Sequence, residues 1–348
     1  MADYRSKTWL YRWLLQRRQH KASGFTLTEV LISIAIAGVI VSGLLFLVVE
    51  LLQIDRREIA LERVQRDMQR AMDYIADDLK EAVYVYDSSS LPDIVNDIVD
   101  ADLSVGPGVA GSGDAVPLLA FWRTVPIDDT VLPDTCTGSN EEIEICRVAK
   151  TRRASYSLIV YYQKHRDDGA ANYPWQGESV LRRYELPQYA PGTLNRVDRN
   201  HVEPIDENNG ETIFEEWTDI VTTAIAGGES AVLVDFVEEA NIDGAGAIDC
   251  RTLISNFNSP LTGETDITAD EYNYVLTPTD ATEQTGFFAC VRAPEPAGEN
   301  FRATQDVYLF LRGDTRSASR FLGPASDNSI RPALQTQVKL RGVIDKDG

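Results

Sequence analysis

Gly24-Phe-Thr-Leu-Thr-Glu-Val-Leu-Ile-Ser-Ile-Ala-Ile-Ala-Gly-Val-Ile-Val-Ser-Gly-Leu-Leu-Phe-Leu-Val-Val-Glu50 is the stretch from which the architecture follows. Between Glu29 and Glu50 lie 20 residues without a charge, Val30 to Val49. At about 1.5 Å per helical residue that run spans roughly 30 Å, the hydrocarbon thickness of a bilayer. A carboxylate, Glu29, stands at its mouth, and a small residue, Gly24, precedes the first aromatic, Phe25. A charge inside lipid is costly, so such a residue normally has a partner or a function. The plainer alternative is a carboxylate that snorkels to the interface, four residues past Phe25.

Working outward, residues 1–24 hold six Lys/Arg against Asp3 alone, a net of +5, which leaves −26 on residues 25–348 of a chain totalling −21. A basic leader ahead of an apolar span predicts a cytoplasmic N-terminus and a translocated bulk. The acidic remainder argues against nucleic-acid binding, which needs a basic face. A cleaved secretory signal has a shorter apolar region with small residues after it. Here Ala22-Ser23-Gly24 come before it, so an uncleaved single-pass anchor is the competing expectation.

The helical period continues into water. Ile54, Leu61, Val64, Met68, Met72, Ile75, Leu79 and Val83 recur mostly at steps of three or four, with charges on the other face. One helix from about Phe25 to about Tyr86, about 90 Å long, is expected. Its first half would lie in lipid and its second half would pack in cis on a β-rich region, rather than form a free coiled coil. Residues 87–117 read as loop, with Pro92 and the cluster Gly106-Pro-Gly-Val-Ala-Gly-Ser-Gly113. That cluster lacks the Gly-Lys-Ser/Thr ending of a phosphate-binding loop.

Strands are expected at Leu118–Val125, Ala154–Tyr162, Val180–Leu186, Ala231–Val237, Gly286–Arg292, Asp306–Arg312 and Gln337–Ile344, from β-branched and aromatic runs bounded by turn residues. Asp167-Asp168-Gly169 would close an antiparallel hairpin between the second and third. The connections 187–212 and 241–284 read as long surface loops. The fold class is therefore α+β: a long N-terminal transmembrane and amphipathic helix packed on a C-terminal antiparallel sheet domain. The divisions are 1–24 as leader, 25–86 as helix (transmembrane 30–49, amphipathic 50–86) and 87–348 as exported β-rich domain.

Cys136, Cys146, Cys250 and Cys290 all follow the span, and an even count in an exported domain favours disulfides. Three connectivities are open, and proximity favours Cys136–Cys146 and Cys250–Cys290. A metal site is the poorer reading, because no CxxC pair occurs and the histidines are only His20, His165 and His201. The same scarcity leaves little room for a nucleophile–histidine constellation, and acid pairs such as Glu215/Glu216 or Asp167/Asp168 are expected by chance among 54 acids. We read the chain as no enzyme, without cofactor or metal. Asn241-Ile-Asp-Gly-Ala-Gly-Ala-Ile-Asp249 has oxygen-rich spacing for Ca²⁺, yet lacks the acid at position twelve of an EF-hand loop; a glycine turn with Asx hydrogen bonds explains it as well.

Gly24, Phe25-Thr-Leu-Thr-Glu29 and the apolar helix behind a basic leader resemble the type IV prepilin signature. The resemblance covers about residues 17–50. It implies cutting between Gly24 and Phe25 by prepilin peptidase, N-methylation of Phe25, and assembly with other pilins or pseudopilins on an inner-membrane platform. Glu29 of one subunit would pair with the Phe25 ammonium of its neighbour, neutralising both in low dielectric. The bulk of the chain resembles minor subunits of the W and J types. Ile54–Glu58, Asp78–Asp87, Phe121–Arg123 and Val307–Gly313 resemble the hormogonium polysaccharide secretion pseudopilin of filamentous cyanobacteria. A pseudopilin supporting polysaccharide export and gliding motility is thus implied. A minor pilin of an ordinary type IV pilus, for twitching, adhesion or DNA uptake, and a bitopic carbohydrate-active enzyme are the alternatives.

Overall fold

The computed structural model describes residues 24–99, 103, 115–165, 175–206, 211–212, 214, 217–238, 250, 254, 274–278, 286–292, 305–314 and 332–340. The leader residues 1–23, the glycine cluster 106–113, the hairpin turn 167–169, Glu215/Glu216 and the oxygen-rich segment 241–249 lie outside them.

Helix α1, Leu27–Lys80, is continuous over 54 residues. It starts in one compact unit, Met1–Asp55, and ends in a second, Arg56–Gly348. In the first unit every described residue is exposed, the apolar side chains included. This is the one described helix long and apolar enough to cross a membrane. In the second unit the pattern becomes one-sided: Val64, Met68, Ala71, Met72, Ile75 and Leu79 are buried.

The helix is shorter than the sequence predicts. It stops at Lys80, where the Glu81 amide bonds back to the Asp78 carbonyl, and Ala82–Val85 form strand β1. Val83, expected on the helical stripe, packs instead against a separate cluster of buried residues. The Ala-Val-Tyr-Val sequence suits a pleated edge better than another helical turn, and β2 offers it a ladder.

The remaining described elements are α2 (Leu91–Asn96), β2 (Ala115–Pro126), α3 (Asn140–Arg152), β3 (Ala154–His165), β4 (Ser179–Pro187), β5 (Ile205–Asp206), β6 (Glu211–Thr212), α4 (Trp217–Ile220), β7 (Glu229–Val237), β8 (Tyr274–Thr277), β9 (Phe287–Arg292), β10 (Asp306–Arg312) and β11 (Ala333–Lys339). A five-stranded sheet has the order β1-β2-β3-β4-β7 and a four-stranded sheet the order β11-β10-β9-β8, both antiparallel throughout. The architecture is thus a long helix, apolar in its first half, followed by antiparallel sheets, which is the α+β class expected from the sequence and consistent with a type IV pilin-like fold.

Two expectations change in detail. The segment expected as loop contains α2, whose Leu91, Ile94 and Val95 are buried with Pro92 in the first turn. Pro is welcome there because its missing N–H has no helical partner anyway. The last strand begins at Ala333, not Gln337, since each of its residues to Lys339 pairs with β10.

Alternation places β2, β3 and β4 between two cores. Leu119, Phe121, Ile159, Tyr161 and Leu181 join the helix stripe together with Phe287, Ala289, Val291, Val307, Leu309 and Leu311 of the second sheet. Ala120, Trp122, Leu158, Val160, Tyr162, Tyr184 and Leu186 face the other way, under α2, Phe214, Trp217 and Ile225. Both faces are covered, so these strands read as nearly continuous apolar runs.

Candidate functional site

The first unit presents Gly24, Phe25 and Glu29 in the open. Phe25 is 79 % exposed and nothing packs within 4 Å of a Cβ built on Gly24. Thr26 opens the helix: its hydroxyl and carbonyl accept from the Glu29 amide at 3.3 and 3.0 Å. Glu29 stands in the first turn, where exposed amides and the helix dipole favour a carboxylate. Its side chain faces no cation among the described residues. Behind it Ser33 and Ser42 turn their hydroxyls onto the Glu29 and Gly38 carbonyls, 2.7 and 2.8 Å away. Internal satisfaction of this kind is what a helix needs in a medium without water.

In the second unit the end of α1 is pinned by charge. Asp78, 6 % exposed, accepts from Arg123 Nη1 at 2.9 Å, Tyr161 Oη at 2.6 Å and Arg183 Nε at 2.7 Å. One helical carboxylate thereby holds three adjacent strands, β2, β3 and β4. Glu185 completes the cluster, bonding Arg183 Nη1 at 2.5 Å, Arg123 Nη2 at 3.1 Å and the Ser157 hydroxyl at 3.0 Å. Burial works against charge on Glu185, yet the bonds from Arg183 and then Arg123 prevail and hold its carboxyl below the usual range. Burial, with the Asp78 charge next, pushes the Tyr161 phenol far above its ordinary value. The Arg183 guanidinium pays desolvation, but its bonds to Asp78 and Glu185 keep it firmly protonated.

This cluster is absent from the sequence-predicted site residues. Its signals are charges interrupting apolar runs, Arg123 in Phe-Trp-Arg-Thr and Arg183 and Glu185 in Arg-Arg-Tyr-Glu, and Asp78 wedged beside Leu79 of the stripe.

The structure joins Cys136 to Cys146 and Cys250 to Cys290. The first bond staples α3, which begins with a reciprocal Ser139–Glu142 capping box, to the preceding loop. The second ties Cys250 to the aromatic outer face of the second sheet, among Phe288, Tyr308 and Phe310. No group of three His, Cys, Asp or Glu suited to a metal occurs among the described residues. His201 is buried at 2 % exposure and lies edge-on to Trp122.

Residues 19–45 match the prokaryotic N-terminal methylation motif. Neither a curated protein nor a solved structure matches the chain. The motif supports a pilin or pseudopilin subunit, a structural building block rather than an enzyme. It implies processing by prepilin peptidase and assembly with other pilins, and with the exposed apolar helix it fits membrane anchoring.

Proposed function

We propose that the chain is a membrane-anchored pseudopilin or minor pilin, cut between Gly24 and Phe25, N-methylated at Phe25, and built into a pilus-like fibre through its apolar helix. Residues 1–24 are the leader, residues from 25 to the end of α1 the anchor and packing helix, and the remainder the exported domain. The observation that carries this reading is the methylation motif continuing into a helix whose apolar side chains are exposed on every side. Such a surface demands lipid before assembly and other helices after it.

Glu29 is the assembly residue: inside a helix bundle it pairs with the Phe25 ammonium of a neighbour. The chain crosses the inner membrane once, with the N-terminus in the cytoplasm and the sheet domain in the periplasm, as the basic leader favours. Its partners are prepilin peptidase, other pilins and the inner-membrane assembly platform. The short stretches at 54–58, 78–87, 121–123 and 307–313 favour a machine that exports polysaccharide and supports gliding, of the hormogonium kind. An ordinary type IV pilus is the other machine such a subunit would serve.

Intact-mass measurement of the chain extracted from membranes tests the reading. A species lacking residues 1–24 and carrying a methyl group on Phe25 is expected. A chain that keeps the leader overturns it. Glu29→Ala should then insert and be processed yet fail to enter sheared fibres, and a deletion strain that still exports its polysaccharide while losing pili assigns the chain to the ordinary pilus.

A further inference from the structure

Residues 188–203 form a strap whose Val197 and Val202 pack against the buried cluster on one face of the five-stranded sheet, the cluster that holds Trp122 and Trp217. The strap closes on itself through Val197 N–H to the Gln188 carbonyl at 3.1 Å and Ala190 N–H to the Asn195 carbonyl at 2.8 Å. Asp198 latches it, accepting from the Asn200 and Ala226 amides at 2.9 and 2.8 Å. Gly227, at φ +96°, sits where a Cβ would collide with Val197, so the strap lies directly on that turn.

At its C-terminal end the strap meets two tryptophans. The His201 ring stands at 84° to Trp122 with centroids 6.3 Å apart, and Trp122 meets Trp217 at 5.3 Å. Trp217 Nε1 donates to the Val202 carbonyl at 3.0 Å. Adjacent strap residues therefore hold both tryptophans. Neither nitrogen of the His201 ring has a hydrogen-bond partner among the described residues. Among the described residues the charges acting on it are Arg196 and Asp198, both within the strap, and on the sheet side it meets the aromatic Trp122.

We infer that this strap is an acid-released cover: protonation of His201 opens residues 188–203 and uncovers Trp122 and Trp217. A bare imidazole in this place is tolerated only while neutral. An imidazolium would sit in an aromatic core with two unpaired donors beside the Arg196 guanidinium, whereas in the open strap it meets water. The single favourable charge, Asp198, is already committed to two backbone amides.

Burial first, and Arg196 second, push the His201 value down from 6.5 to about 4. The sign follows: between those values the open strap takes up a proton that the closed strap refuses, so the neutral His201 contribution to closure is fully present above pH 6.5 and weakens as pH falls toward 4. From pH 7 to pH 4.5 the open fraction rises about 60-fold by this linkage. A chain exposed to the medium outside the cytoplasm would meet such a change; the inference itself rests on the strap and not on the fibre.

Hydrogen exchange of the full chain in detergent, corrected for the intrinsic rate, reads the opening. The Val197 and Ala190 amides should exchange about 60-fold faster at pH 4.5 than at pH 7, against a much smaller change in β3 amides. In His201→Phe the ratio should fall near one, and in His201→Gln, which keeps an uncharged polar side chain, it should do the same. Equal acceleration in wild type and both variants, or no acceleration in wild type, overturns the inference.

Discussion

Removing the Asp78 carboxylate should release the end of α1 from its sheet. Asp78→Ala leaves Tyr161 Oη, Arg123 Nη1 and Arg183 Nε without the acceptor they share at 2.6, 2.9 and 2.7 Å. The side chains of the two arginines are only 19 % and 10 % exposed, so water does not readily replace it. Breaking a buried ion pair by deleting one partner costs about 3–5 kcal/mol. Both arginines keep Glu185, and Arg123 also reaches Glu81 at 3.4 Å, which places the loss near the lower end. About 3 kcal/mol corresponds to a fall in Tm of roughly 6–12 °C for a domain of this size. Asp78→Asn should lose less, because an amide oxygen still accepts from Tyr161. Thermal unfolding of the detergent-solubilised chain, followed by near-ultraviolet circular dichroism, measures both. A Tm within about 2 °C of wild type for Asp78→Ala, inside the spread expected of an ordinary surface substitution, refutes the reasoning.

Two further outcomes follow from neighbouring geometry. Glu185 is held below the usual carboxyl range, so its contribution is present above the ordinary value of 4.5 and is lost as pH falls through its folded value. The stability deficit of Glu185→Gln relative to wild type should therefore shrink from pH 7 to pH 3.5, and an unchanged deficit in denaturant titrations counts against the cluster. Gly313 leaves no room for a side chain: a Cβ there would lie 2.5 Å from Met68 Sδ and 2.8 Å from Val64 Cγ1. Gly313→Val should destabilise by about 1–3 kcal/mol through overpacking, readable as a lower denaturant midpoint at unchanged slope.

The parts of the fold legible in the sequence are those where one local signal dominates. The apolar run announces an anchor, the steps among Val64, Met68, Met72, Ile75 and Leu79 announce a packed stripe, and the runs around Phe121, Ile159 and Leu309 announce strands. The helix end was harder to place, because Val83 continues the 3.6-residue period while Ala82–Val85 equally suit a strand, and only pairing with β2 decides. Helix α3 is hard to read from sequence although Ser139-x-x-Glu142 is a capping signal, since its composition is polar and its buried residues are few, Cys146 and Ala149. The junction at Gly24, Phe25 and Glu29 is readable because its chemistry is local. The Asp78 cluster is not, because its members are separated by up to 107 residues and acquire meaning only when three strands bring them together.

That difference bears on why a charge is buried where apolar packing would serve. An apolar stripe repeating at steps of three and four is nearly self-similar under sliding. Displacing α1 by one or two turns would still set Leu61, Val64 or Met68 against much of the same sheet surface. A carboxylate is not degenerate in this way. Four residues before Asp78 stands Tyr74, whose hydroxyl carries no charge to pair with Arg123 and Arg183, and seven before it Ala71, whose side chain has no acceptor at all. A slipped helix would therefore take the Asp78 charge away from two largely buried guanidinium groups and leave them Glu185, at a loss of about 3 kcal/mol, so the charge favours one axial register. Within the unit Arg56–Gly348 a fixed register is the useful property, because it gives each stripe residue from Val64 to Leu79 one place in the core shared with the two sheets.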